Sequence, residues 1–179
     1  MKKSESKTEA ELLEYINENF HHGDIETHGK FYYKVRGMGR QIGKEAGRVN
    51  YSSGYRQLRI DYIEYQTHRM VYLWVHKKFP DNQIDHIDHD KLNNNPKNLR
   101  DVTHIENHKN VSIYKNNKSG TMGVIKVRNG KKYYWRSSVR IFGKLKYKCF
   151  PFTDEGKEDC IIYTKKVYKD NGFHPNHGS

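Results

Sequence analysis

The chain has 179 residues, of which 34% are hydrophobic, and carries a formal net charge of +12; its mean hydropathy is -1.07. Apolar residues are too scarce for one thick globule, and two thin modules fit the composition better. No apolar run is long enough to span a bilayer, the stretch MKKSESKTEAELL has no apolar signal core, and Cys149 and Cys160 form no CxxC pair, so membrane insertion, secretion and a disulfide or thiolate-zinc scaffold are set aside in favour of a reducing cytoplasm.

In chain order, Thr8-Glu9-Ala10-Glu11 is a capping box, and Leu12, Leu13, Ile16 and Phe20 recur at helical spacing behind it. Strands are expected at Phe31–Val35, Tyr55–Ile60 and Tyr62–Gln66, with the run GMGRQIGKEAG as a loop. Thr67 is placed to cap a helix bearing Met70, Val71, Leu73 and Trp74, which ends at Phe79 because Pro80 disfavours α geometry in its predecessor. A strand at Gln83–Ile87 follows, then an asparagine-rich loop holding Pro96. A second capping box, Thr103-His104-Ile105-Glu106, opens a helix through about Asn110. After the polar stretch IYKNNKSG (Ile113–Gly120), three strands and a helix are expected. Asn129-Gly130 predicts a type I′ hairpin turn and Phe142-Gly143 a second turn, and Thr153 caps a helix that stops at Asn171-Gly172. The fold class expected is α+β, with an extension over 1–66, a core over 67–112, a linker over 113–120 and a second domain over 121–179.

The stretch Ile84 to Asn110, IDHIDHDKLNNNPKNLRDVTHIENHKN, carries the chemistry. Hydrolysing a phosphodiester needs an activated water, a cation on the scissile phosphate and help for the leaving oxygen. Asp85 is a hard oxygen donor suited to Mg²⁺, and His86 titrates near neutrality and can take a proton from water. Asn107 offers a carboxamide oxygen at a helix start, near the positive end of the helix dipole. Asn98 can hydrogen-bond nearby backbone and fix the loop that holds His86. Adjacent strand residues point to opposite faces, so Asp85 and His86 share a site only if the strand ends or twists there. An asparagine run is also ordinary turn chemistry. The spacing of His86, His89, His104 and His108 suggests zinc as well, although a four-histidine structural site without cysteine is uncommon.

From Lys109 to Thr153 there is no Asp or Glu, while twelve residues are Lys or Arg. Such a block marks a nucleic-acid surface, against the plainer reading of a solvated basic tail. Interleaved tyrosines, Trp135 and aliphatics favour a folded sheet. Alternation puts Trp135, Ser137, Val139 and Ile141 on one face and Tyr134, Arg136, Ser138 and Arg140 on the other. It likewise separates Leu145, Tyr147 and Cys149 from Lys144, Lys146 and Lys148, and Ile125 and Val127 from Lys126 and Arg128. The expectation is an apolar face under the last helix and an almost purely cationic face open to the DNA major groove. There arginine pairs with guanine edges and lysine holds phosphates.

The ordered string from Ile84 to Asn110 resembles the HNH, or ββα-metal, nuclease family. That resemblance implies that Asp85 is a metal ligand, His86 the general base, Asn98 the loop-supporting asparagine and Asn107 the second ligand. His68-Arg69 resembles the family's His-Arg step, with His68 able to face the phosphate. His89 stands where relatives often have glycine, a substitution that is tolerable but unfavourable if the turn needs positive φ. The segment from Ser119 to Gly178 resembles the AP2 DNA-binding domain in the form appended to phage HNH endonucleases. SGTMGV, Tyr134-Trp135-Arg136, Phe150–Phe152 and NGFHPNHG carry that likeness. It implies that Lys126, Arg128, Arg136 and Arg140 are base or phosphate contacts. The stretch AGRVNYSSGYRQLRIDYIEYQTHRMVY is similar to the same proteins.

These observations predict a homing-type DNA endonuclease acting on double-stranded DNA as a monomer or homodimer. One Mg²⁺ or Mn²⁺ per active site is expected, in the cytoplasm of a bacterial host if the chain is phage-encoded. Two alternatives stand beside it: a sequence-specific DNA-binding regulator with an inactive HNH core, and a non-specific nuclease toxin. RNA binding lacks a stacking motif of the RNP1 kind.

Overall fold

The computed structural model describes residues 6–37 and 39–178. Part of the N-terminal stretch read above for a signal core (residues 1–5), and Met38 of the glycine-rich loop, lie outside the described residues. The chain divides into two compact units, residues 1–104 and 105–179. Among the described residues no helix is long and apolar enough to cross a membrane.

In the first unit, Thr8 caps α1 (Glu9–Asn19) by a reciprocal capping box: Glu11 N–H donates to Thr8 Oγ1, and Thr8 N–H to the Glu11 carboxylate at 2.7 Å. A short helix, α2 (His22–His28), follows, and Gly29 ends it in the left-handed region. Residues 31–35 do not form the expected strand. Tyr32 and Tyr33 make only isolated bridges, to Glu45 and Phe20. A three-stranded antiparallel sheet is built from β1 (Arg48–Val49), β2 (Arg56–Ile60) and β3 (Ile63–Gln66), and β3 runs straight into α3 (Thr67–His76). Gln66, not Thr67, is the N-cap of α3, and Thr67 is its buried first residue. The helix stops at His76, short of Phe79, because Lys77 adopts φ +60° and its N–H closes on the Leu73 carbonyl at 2.8 Å.

Next comes β4 (Gln83–His86), paired antiparallel with β5 (Leu99–Val102) across a loop that includes the 3-10 turn Pro96–Asn98. The second strand occupies a stretch where the sequence offers only loop signals. One apolar core serves the whole unit, from Leu12 and Ile16 of α1 through Ile25, Leu58 and Met70 to Ile84 and Leu99. Residues 1–66 and 67–102 therefore bury their apolar faces against each other. Each large side chain fully enclosed there contributes roughly 1.5–3 kcal/mol. The one-turn helix α4 (His104–Asn107) is shorter than expected: Lys109 and Asn110 N–H close back on Glu106 and Asn107 with three-residue spacing.

The second unit is an antiparallel meander, β6 (Val124–Asn129), β7 (Lys132–Ile141) and β8 (Lys144–Pro151), with α5 (Asp154–Asp170) on one face. Thr153 caps α5 by accepting from Gly156 N–H. Asn129 pairs with Lys132, so the central turn residues are Gly130 and Lys131. Only Gly130 has positive φ there, the pattern of a type II′ turn rather than the expected I′. Phe142 and Gly143 both have positive φ and form the I′ turn.

The ladder corrects the expected division of the sheet faces. Directly opposed residues of an antiparallel pair share a face. Ile141 opposes Lys144, Val139 opposes Lys146 and Ser137 opposes Lys148. Val124 opposes Ser137 and Lys126 opposes Trp135. Since Thr164 of α5 donates to Ser137 Oγ, this is the helix side. Lys126, Arg128, Lys144, Lys146 and Lys148 therefore lie on the helix side. Lys148 sits over the Tyr163 ring, and Lys146 lines a hollow with Val139 and Asp170. The open face carries Tyr134, Arg136 and Arg140 together with Ile125, Val127, Leu145, Tyr147 and Cys149. It is a mixed arginine, aromatic and aliphatic surface, not a lysine sheet. Alternation inside β8 separates two sets of residues, but the turn decides which set goes inward.

The two cysteines report on this register. Cys149 is exposed on the open face, whereas Cys160 is buried, and burial pushes its thiol pKa up. One equivalent of thiol reagent should label the native protein at Cys149, with Cys160 reacting only on unfolding. Protection of both thiols would return Cys149 to the helix side.

Candidate active site

The site grows from the end of β4. Asp85 and His86 are both buried, at 6% and 5% exposure, so alternation does not send either to solvent. The strand ends at His86, where the chain turns into the loop. Asp85 opposes Arg100 on β5, and Arg100 donates Nε and Nη2 to Asp85 Oδ2 at 2.8 and 2.6 Å. A buried carboxylate needs such a partner. His86 Nε2 lies 3.2 Å from Asn94 Oδ1. The His68 ring, from the first turn of α3, stands edge-on to His86 at 5.2 Å, and Tyr55 packs on both imidazoles. Burial, reinforced by the neighbouring His86 and Arg69, pushes the His68 pKa down to about 3. Its Nδ1 is buried and makes no hydrogen bond. His68 is thus a neutral wall beside His86, not a cation. Burial first, then the Asp85 charge, raises the Tyr55 pKa.

The loop after His86 is held by its own polar groups. Asn98 Oδ1 accepts from Asp88 N–H at 3.1 Å, and Asn98 Nδ2 donates to Asp88 Oδ1 and to the Asn93 carbonyl, both at 2.8 Å. Asn93 Nδ2 donates to Asp88 Oδ2. Burial works against ionising Asp88, but the bonds from Asn93, Asn98 and the Asp90 N–H outweigh it and hold its pKa below the usual range. His89 has φ +66°, so an imidazole does occupy a left-handed position there. From the other side α2 meets the loop. Asn95 Nδ2 donates to the Thr27 carbonyl at 2.8 Å, and a β-carbon added at Gly29 would lie 1.7 Å from the Asn94 carbonyl oxygen. Gly29 is required there for space as well as for its φ of +68°.

Asp85, His86, His68 and the Asn98 loop come together in the first unit. Asn107 is the last residue of α4, beyond His104 where that unit ends. Among the described residues no cluster of three or more His, Cys, Asp or Glu is placed to hold a metal ion. Sequence reasoning missed Tyr55, Asn94 and Arg100. Tyr55 has no local pattern to mark it, and Asn94 is hidden in a run of three asparagines. Arg100 is visible only once β5 is known to pair with β4.

Residues 65–109 match the family model described as HNH endonuclease. The match supports a nuclease domain within that segment. No curated protein and no solved structure matches the chain.

The buried, neutral His68 makes stability depend on pH. Unfolded, it protonates near its ordinary 6.5; folded, only near about 3. Its stabilising contribution is complete above the unfolded value and is lost as pH falls through that window. Between neutrality and about pH 5 the loss should reach about 2 kcal/mol. Urea denaturation at both pH values, compared with His68→Gln, should show the dependence shrinking in the variant; identical slopes would mean that His68 protonates freely in the fold.

Proposed function

We propose that the protein is a metal-dependent, homing-type endonuclease of double-stranded DNA. The observation that carries this reading is the burial of Asp85 beside His86 at the end of β4, inside the segment that matches the HNH family. His86 takes the proton of the attacking water. Asp85 and Asn107 would hold a single Mg²⁺ or Mn²⁺, and the donor chemistry fits: a hard carboxylate and a carboxamide oxygen, with room in the ion's shell for water and phosphate. Arg100 donates to a single Asp85 oxygen, Oδ2. When bound, the cation supplies positive charge at the scissile phosphate and the leaving oxygen. Asn98 holds the loop, and His68 and Tyr55 wall the imidazole against disorder.

The second unit, AP2-like in this reading, grips and selects the duplex. Its open face offers Arg136 and Arg140 for base edges, with Arg136 stacked on Tyr147. Lys126, Arg128, Lys144, Lys146 and Lys148 project from the helix side and hold phosphates at the sheet margins. The corrected register supports this division of labour, which separates sequence choice from electrostatic affinity.

Two experiments test the reading. In a plasmid-nicking assay with Mg²⁺, His86→Ala should lower the rate by about 10²–10⁴-fold while duplex binding stays near the wild-type level. Cleavage at the wild-type rate would exclude His86 as the base, and wild-type protein inert with both Mg²⁺ and Mn²⁺ would favour the regulator. In the second, Arg136→Ala should cost about 1–3 kcal/mol of discrimination at one base position, whereas Lys146→Ala should weaken all sequences alike and lower the salt slope by about one. Equal, sequence-blind losses would reduce the sheet to a phosphate grip.

A further inference from the structure

We propose that Asn94 is a positioning residue that fixes the tautomer of His86. This rests on the reading of His86 as general base, but its own observations are separate. Asn94 is 4% exposed, and its side-chain oxygen lies 3.2 Å from His86 Nε2. A carboxamide oxygen only accepts, so the ring nitrogen facing it must carry the proton. In a neutral imidazole the lone pair then resides on Nδ1. An imidazole meant to remove a proton from water needs that assignment settled before substrate arrives. Otherwise a fraction of molecules presents an N–H where an acceptor is required.

The placement of Asn94 is itself enforced. Its backbone carbonyl sits against Gly29, where a β-carbon would come within 1.7 Å, and the next residue, Asn95, is tied to the Thr27 carbonyl. The end of α2 therefore seats Asn94, and Asn94 aligns His86. His68 and Tyr55 flank the ring with their edges and faces, which limits its tilt. A reversed amide would place Nδ2 against Nε2 and force the proton onto Nδ1, so the inference is sharply testable.

Long-range ¹H–¹⁵N correlation spectra of the histidine rings in the full chain read the tautomer directly, without DNA or metal. The wild-type spectrum should show His86 as the Nε2–H form. Asn94→Ala should give a mixture of tautomers and lower kcat by about ten- to a hundredfold with KM little changed, the usual penalty for losing an orienting partner. Asn94→Asp, which keeps an acceptor oxygen in place, should retain the proton on Nε2. A wild-type His86 protonated on Nδ1, or an unaltered tautomer in Asn94→Ala, would overturn the proposal. Should Asn94→Ala fail to fold, the wild-type and Asn94→Asp spectra decide. If wild-type protein fails to cut DNA with either metal, the nuclease reading falls while the ring spectrum still judges Asn94.

Discussion

Everything in the first unit that bears on chemistry depends on how the chain returns from β4 to β5. The loop must reverse direction directly after His86 without releasing its ring. Asp88 is the hub: its carboxylate accepts from Asn93, Asn98 and the Asp90 N–H, and its own N–H is bound by Asn98. Charge-assisted hydrogen bonds to one carboxylate are stronger than neutral ones and also fix direction. The hub braces the turn at His89, which bears the strain of positive φ on a side-chain residue. The β4–β5 ladder supplies the second restraint by bringing Arg100 onto Asp85.

The N-terminal extension belongs to the same argument. Its helices share the core with α3, β4 and β5, and α2 reaches the asparagine loop through Thr27 and Gly29. Tyr55, just before β2, completes the wall around the two imidazoles. The HNH match begins at residue 65, yet part of what orients the site lies before it. A buried, neutral His68 adjoins His86 edge-on.

In the second unit, charge and shape are separated by register. The acid-free block from Lys109 to Thr153 provides a field for a polyanion whichever way its side chains face. What the sheet can read depends on which residues share its open face. There Arg136 and Arg140 stand among tyrosines and aliphatic side chains. Lys126, Lys144, Lys146 and Lys148 lie on the helix side.

Several features were legible in the chain as written. The capping box at Thr8, the helix at Thr153, a strand through Asp85 and His86, and the role of Asn98 as a loop tie each rest on local chemistry that a short window contains. The basic block and the scarcity of apolar residues, hence two modules, are composition and need no fold. Tertiary structure alone decided the rest. Leu99–Val102 is a strand because β4 offers it a partner. Lys144 shares a side with Ile141 because the Phe142-Gly143 turn aligns them, and a shift of one residue would exchange the faces. Asn94 differs from its neighbours Asn93 and Asn95 only through what lies opposite it, a ring nitrogen brought there from eight residues back. Local sequence sets propensity and chemical type, whereas the identity of a partner across space comes from packing, which no short window encodes.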